Sequence, residues 1–445
     1  MDPGATRTAD DPSVASKLRR EVGLGGAVLL GLGSILGTGV FVGIGIAGGI
    51  AGSMVVVAIV LAGGLAFCNA ASSAQLAAKH PVSGGTYEYG ILLLGPRIGF
   101  IAGWMFLCAK SASAATAALG FASHLFHASV IRNEQWVMPV AIAAVVLLTG
   151  VVALGIRRAN LVNAIIVSVT IGGLLAFVAT GFAWMSGPNG DSIEPVIEGM
   201  RSFSFADGSV GLLEATALMF VAYTGYGRIA TLGEEVRSPR RTIPRAIGIT
   251  LAVSATLYLL VAVVAIGLLG ADGLAAVTQA TAAPLEVAAA MLETPWVRWV
   301  VAIAAVTAML GVLLNLVLGL SRVAFAMGRR GDLPSGVATV RASTGTPIVA
   351  VILVGVVIIG LVTLGNVRTT WSFSAFTVLV YYGITNFAAL RLAPEDRFLP
   401  RVFAWLGLAG CGFLAFWVDW RIWTVGLVVI FAGLLWRWGF RRFRG

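Results

Sequence analysis

The sequence predicts an all-α polytopic membrane protein with twelve transmembrane helices, on three observations. Of the 445 residues, 58% are hydrophobic and 11% charged, whereas soluble domains carry about 25% charged residues. No Asp, Glu, Lys or Arg occurs between Val22 and Ala78, a stretch too long for one bilayer crossing of about 20 residues but sufficient for two. No polar linker divides the chain, which removes the several soluble domains that length alone would suggest.

Residues 1–20 are polar and lack an apolar core, so they read as a cytoplasmic tail and not a cleaved signal peptide. Apolar runs bounded by charges, Pro or Gly then follow at 23–49, 53–78, 96–125, 136–155, 160–185, 211–233, 244–270, 296–327, 346–364, 370–390, 401–418 and 422–438. With the N-terminus inside, external connections hold only Arg132, Arg201, Arg298, Arg368 and Arg421, while Lys110 and Arg228 fall within spans. The remaining basic residues are cytoplasmic, a positive-inside bias that fixes the orientation with both termini in the cytoplasm. Two connections are longer than turns. KHPVSGGTYEYG, after the second span, is Gly-rich and amphipathic; ADGLAAVTQATAAPLEVAAAMLET, after the seventh, has helix-like apolar spacing that suits a cover over the external entrance. An ordinary surface loop is the competing reading for each.

The net charge of +10 does not indicate nucleic acid, because the arginines sit at the ends of apolar runs and the basic C-terminus RWGFRRFRG follows a span, where membrane lipids explain it. Cys68, Cys108 and Cys411 all lie in apolar segments and read as packing thiols, with neither disulfide nor metal cluster.

Spans 1 and 6 carry glycines at their middles. The first reads GLGSILGTGVFVGIGIAGG, with Gly33, Gly37 and Gly39 around Ser34 and Thr38; the sixth reads LMFVAYTGYGRIATLGEEV, with Gly225 and Gly227. Glycine costs about 1 kcal/mol against alanine in a helix interior but permits unwinding and close approach of a ligand to backbone. Tight helix packing is the alternative use. Interrupted helices at matching places in two halves point to a transporter built from inverted repeats. A break near Gly37–Gly39 presents N–H groups at the positive end of a half-helix, and one near Phe220–Gly225 presents carbonyls at a negative end. Such a pocket suits a zwitterion, with carboxylate towards span 1 and ammonium towards span 6.

These residues resemble a known family. ILGTGVF, PVSGGTYEYG, FVAYTGYGRIATLGEEVRSPRRTIPRAI and GLSRVAFAMGRRGDLP are similar to segments of the amino acid–polyamine–organocation (APC) transporters, and the bacterial branch akin to cationic amino acid transporters is the nearest match. The resemblance covers roughly residues 20–395. It implies a core of two inverted five-helix repeats, at 21–185 and 186–395, with 396–445 forming two peripheral helices and a basic tail. It also implies that Ile35, Gly37, Thr38 and Gly39 receive a substrate carboxylate, and that Phe220, Val221, Ala222, Thr224 and Gly225 bind the ammonium and line the side-chain pocket. Relatives often carry an aromatic gate at the position of Val221; here Phe220 stands one residue earlier.

Relatives that take up substrate with protons often carry a lysine in span 5, which aligns with Thr170. Lys110, in span 3, is the basic residue here. It lies roughly 20 Å along a helix beginning near Arg97, at about 1.5 Å per residue, and so near the middle of the membrane. A lysine at that depth is a functional candidate by default, and burial, by disfavouring the charged amine, suits it to exchange a proton. Snorkelling to the interface fits the depth poorly. In span 6 Gly227 replaces an acidic residue common in relatives, and Arg228 follows it. Arginine keeps its proton, so Arg228 pairs, reaches water or faces a cavity, the pair with Glu234 or Glu235 being the plainest option. Adjacent Glu234 and Glu235 face different sides of a helix and suit an inner gate against Arg19 or Arg20.

The expectation is therefore a secondary active permease in a bacterial inner membrane, moving a small amino acid by alternating access with H+ as coupling ion and no cofactor. An exchanger without proton coupling, a sodium-coupled transporter and a nutrient sensor are the alternatives. An intramembrane enzyme is disfavoured. His80, His124 and His127 have no Cys or acid at metal-ligand spacing, and neither a nucleophile elbow nor a phosphate-binding loop occurs. His124 and His127 read as a solvated external helix end. Small neutral substrates are favoured, and acidic ones enter if Arg228 faces the site.

Overall fold

The computed structural model describes residues 22–80, 84–128, 134–154, 159–187, 193–202, 204–230, 236–341 and 345–442. These are helical throughout, with only two isolated strand-like bridges, Val22 with Val236 and Arg341 with Thr346. Helix α1, Leu24–Ile35, stops where Leu36 becomes extended (φ −76°, ψ 94°). A π-helical turn, Gly39–Gly43, then leads into α2, Ile44–Ala51. Gly52 (φ +57°) reverses the chain into α3, Val55–Lys79, and α4, Thr86–Leu94, precedes the long α5, Pro96–Ala128. Next come α6, Val137–Ala153, α7, Ala159–Met185, and α8, Glu194–Arg201.

The second broken element comprises α9, Phe205–Tyr223, one 3-10 turn, Thr224–Tyr226, and α10, Gly227–Ala230. Then follow α11, Pro239–Thr281, α12, Pro284–Ala290, α13, Pro295–Arg329, α14, Ile348–Leu364, α15, Val367–Leu390, α16, Arg401–Ala415, and α17, Trp420–Arg442. Among the described residues eight helical runs are long and apolar enough to cross a membrane, counting Leu24–Lys79 as one; α6, α14 and α16 are shorter apolar helices. Leu147, Val356, Val428 and Phe431 are among many large apolar side chains left exposed, as lipid rather than water would demand. The protein is an integral membrane protein.

Two of the connections read from sequence are helical. The Gly-rich one, of which residues 81–83 lie outside the described ones, enters α4 from Thr86 onward, and the connection after the seventh span continues α11 beyond a kink at Gly270 (φ +67°) before α12 begins. Helix α8 has no counterpart in the sequence analysis; it docks its Gly199 on Ser53, leaving no room for a side chain. Helix α5 is central, packed on α13 and α15, while α16 and α17 lie outside the bundle against α3, α15 and α5.

Candidate substrate cavity between the broken helices

A cavity of about 70 Å³ lies where the two interrupted elements meet. Ser34, Ile35, Thr38 and Gly39 line it from the first, and Val221, Ala222, Thr224, Gly225, Gly227 and Arg228 from the second. Helix α5 contributes Phe106, Lys110 and Ser113, α13 contributes Val312, Asn315 and Gly319 among others, and α15 contributes Trp371. The breaks follow from local sequence and from close packing together. A Cβ on Gly39 would lie 2.5 Å from Ala222 Cβ, and one on Gly225 would collide with the Ser34 carbonyl. The glycines thus let two backbones touch, which joins the packing reading to the unwinding one.

In the second element the helix persists through Phe220–Tyr223 and tightens only at Thr224–Tyr226, where the sequence suggested unwinding from Phe220 onward. Its carbonyls are met by side chains. Tyr382 Oη donates to Thr224 O (3.1 Å), and Trp371 Nε1 to Leu218 O (3.2 Å). Tyr258 Oη lies within hydrogen-bonding distance of both Ile35 O (2.9 Å) and Ala222 O (3.0 Å), so one hydroxyl spans both breaks. These tyrosines come from α11 and α15, and sequence reasoning missed them; a tyrosine inside an apolar span needs a hydrogen-bond partner, and that was the available signal.

Lys110 is buried, and its Nζ donates to Thr224 Oγ1 (2.8 Å), which itself donates to Val221 O (2.7 Å). Among the described residues it forms no ion pair. Thr38 Oγ1, buried on the cavity wall, has no protein partner. Gly37 and Phe220 are not on the wall: Gly37 abuts Val312, and Phe220 packs edge-on to Tyr382 (5.7 Å). Arg228 runs beside α13, its Nη1 3.8 Å from where a Gly319 Cβ would stand. Glu234 and Glu235 lie outside the described residues, as do Arg19 and Arg20.

Thr170 bonds the carbonyl of Ile166 in its own helix (2.8 Å). The α7 residue that reaches α1 is Asn163, whose Nδ2 donates to Leu29 O (2.9 Å) and whose Oδ1 accepts from Asn315 Nδ2 (3.1 Å). His124 corrects the expectation of a solvated helix end, since its side chain is fully buried and its Nδ1 lies 2.6 Å from the equally buried Glu286 Oε1. The pairing brings together residues 162 apart in sequence. Among the described residues no group of three or more His, Cys, Asp or Glu could hold a metal.

A helical membrane protein with a small, mostly apolar cavity at two interrupted helices has the architecture of a membrane transporter. The chain belongs to the amino acid permease family, whose model matches residues 23–435, within the APC superfamily that its motifs suggested. It is 40% identical over 429 residues to an uncharacterized transporter of Mycobacterium tuberculosis, covering 96% of this chain and 93% of that protein. It is 28% identical over 352 residues to a branched-chain amino acid permease of Bacillus subtilis, covering 75% and 72%. A mitochondrial cationic amino acid transporter of Arabidopsis thaliana is 27% identical over 351 residues, covering 73% of this chain and 54% of that protein.

Proposed function

We propose that this protein is a secondary active permease for a small neutral amino acid, working by alternating access and coupled to protons through Lys110. The observation that carries the proposal is the bond from Lys110 Nζ to Thr224 Oγ1 at the wall of the cavity. A protonated amine there attracts the substrate carboxylate held across the same small cavity, so protonation favours substrate binding and the two occupancies become linked. The substrate carboxylate is received at Thr38 and Gly39, where the first amides of a half-helix have no intrahelical partner and where the Thr38 hydroxyl has no protein partner. The ammonium faces Val221, Ala222, Thr224 and Gly225, with Ile35 on the opposite wall. Gly37 and Phe220 act one step away, by seating these groups against Val312 and Tyr382. A volume of about 70 Å³ corresponds to roughly five water positions, the scale of glycine or alanine.

The helical architecture supports twelve crossings, with Leu24–Lys79 folding back at Gly52 and the three shorter apolar helices completing the set. Two inverted repeats at 21–185 and 186–395 place the two broken elements in matching positions, and the peripheral region 396–445 holds α16 and α17. The positive-inside bias supports both termini being cytoplasmic, and the likeness to bacterial transporters supports a bacterial inner membrane. At that inner end Arg237 N donates to Val22 O (2.9 Å). This bond holds Val22, just before the first span, beside Arg237, just after the sixth, as an inner gate at that end requires; Arg228 lines the cavity.

Uptake by purified protein in proteoliposomes, with and without an inward proton gradient, tests the coupling. The expected result is gradient-driven accumulation that Lys110→Met abolishes while counterflow continues. Full counterflow with no response to the gradient in the wild type refutes proton coupling and leaves the exchanger.

A further inference from the structure

The fully buried pair of His124, on α5, and Glu286, on α12, takes no part in the cavity. Nδ1 and Oε1 are 2.6 Å apart, and Phe41 of the π-helical turn packs edge-on to the imidazole (6.1 Å). The other two polar atoms of the pair, His124 Nε2 and Glu286 Oε2, are buried with no protein partner. Helix α12 sits over the first broken element, with Pro284 and Thr278 so close to Gly45 that a Cβ there would be 2.9 Å from the proline ring. An open crevice of about 350 Å³ begins beside it, between α2, the end of α11 and the start of α15. The pair therefore fastens a short cover helix to the central helix that also bears Lys110.

We infer that His124 and Glu286 form a second proton-binding site, separate from Lys110, and that its protonation releases α12 from α5. The inference rests on the transporter proposal but not on the role given to Lys110. With α12 docked, the pair is electrically neutral, as imidazolium with carboxylate or as imidazole with carboxylic acid. One further proton, arriving from solvent at Glu286 Oε2, leaves imidazolium beside a neutral acid. That state is a buried charge without its counter-charge, and it is relieved by opening α12 to water. Opening then exposes the crevice side of Gly45 and the π-helical turn, next to the half-helix that lines the cavity.

Other ionisable groups stand on the elements packed around the pair. Helix α5 carries Lys110 about four turns away and His127, whose side chain lies outside the described residues; α11 carries Asp272; Glu293 follows α12; Arg298 lies in the first turn of α13 and Arg368, on the crevice wall, in that of α15; the π-helical turn carries none. Neither Lys110 nor Asp272 forms an ion pair with His124 or Glu286.

Amide hydrogen exchange of residues 284–290, measured on the full-length protein in nanodiscs across a pH series and corrected for intrinsic rates, tests the inference. In the wild type, protection is expected to fall on acidification by up to about tenfold per pH unit, the limit for one linked proton. Glu286→Gln and His124→Gln are expected to flatten that slope, while Glu286→Asp retains it. Lys110→Met separates the two sites. A slope that persists in this variant supports the inference even if uptake shows Lys110 to be uninvolved. A slope that disappears with Lys110, or one identical in the wild type and Glu286→Gln, overturns it.

Discussion

Gly225 rests directly on the carbonyl of Ser34, backbone against backbone, at the point where the two broken elements cross. No side chain fits between them, and the obstructing atom is a carbonyl that cannot rotate away. Gly225→Ala is expected to destabilise the protein by about 1–3 kcal/mol, the range for overpacking a tight core, and to abolish uptake. Gly248, with nothing within 4 Å of a built Cβ, is the control. Gly248→Ala is expected to raise stability by up to about 1 kcal/mol and leave uptake unchanged. Thermal unfolding in detergent with uptake on the same preparations checks both; equal behaviour of the two variants sinks the backbone-contact account.

Thr224 joins Lys110 to the carbonyl of Val221, so its hydroxyl links the α5 amine to the turn. Thr224→Val removes the acceptor, stranding a buried amine at a cost of about 1–3 kcal/mol. Thr224→Ser keeps the oxygen and is expected to retain most of the stability and gradient response. Uptake against external pH in the two variants provides the check. Matching profiles would show that the hydroxyl is irrelevant.

Much of this architecture was legible because each apolar run carries its own hydropathy, and the break of span 1 was legible because Gly37 and Gly39 interrupt a helix visibly. The extent of the second break was not. Tyr382 and Trp371 meet the carbonyls at Thr224 and Leu218 from another helix, and no local pattern reveals that. His124 was read as solvated for the same reason, since its partner Glu286 lies on a distant connection. Lys110 was recognised by depth alone, while its acceptor, Thr224, was known only as a residue of the other break. Asn163 and Asn315, polar residues within apolar spans, were available as a signal and link α1, α7 and α13.

Tyr258 offers one hydroxyl proton to two carbonyls, Ile35 O and Ala222 O, one on each broken element. Its ring packs against Tyr223 (5.1 Å), so Tyr258→Phe removes the hydroxyl without vacating the volume. Both carbonyls then lose a donor, and a stability loss of roughly 0.5–1.5 kcal/mol is expected. The larger effect falls on substrate affinity, because the carbonyls fix the relative placement of the two halves of the cavity. Amino acid titration followed by thermal shift is expected to show a weakened ligand response. An undiminished response would place the hydroxyl outside the binding machinery.

Asp332, in the GRRGDLP segment after α13, accepts from Tyr87 Oη (2.9 Å) and pairs with Arg437 (3.1 Å) and Arg441 (3.0 Å) of α17. Its side chain is 1% exposed and that of Arg437 6%. Removing the carboxylate's charge leaves the Arg437 guanidinium buried without its counter-charge. Asp332→Asn is therefore expected to cost about 3–5 kcal/mol, the range for breaking a buried pair from one side. Arg330, bidentate with Glu88 but 42% exposed, provides the contrast: Arg330→Gln is expected to cost less than about 1 kcal/mol. The damage from Asp332→Asn should concentrate in α17, which lies outside the bundle and makes no part of the cavity wall. Hydrogen exchange over Trp420–Arg442 is expected to rise while substrate affinity of the folded fraction stays unchanged. A loss of affinity with α17 still protected would instead mean that Asp332 acts through α13 on the cavity.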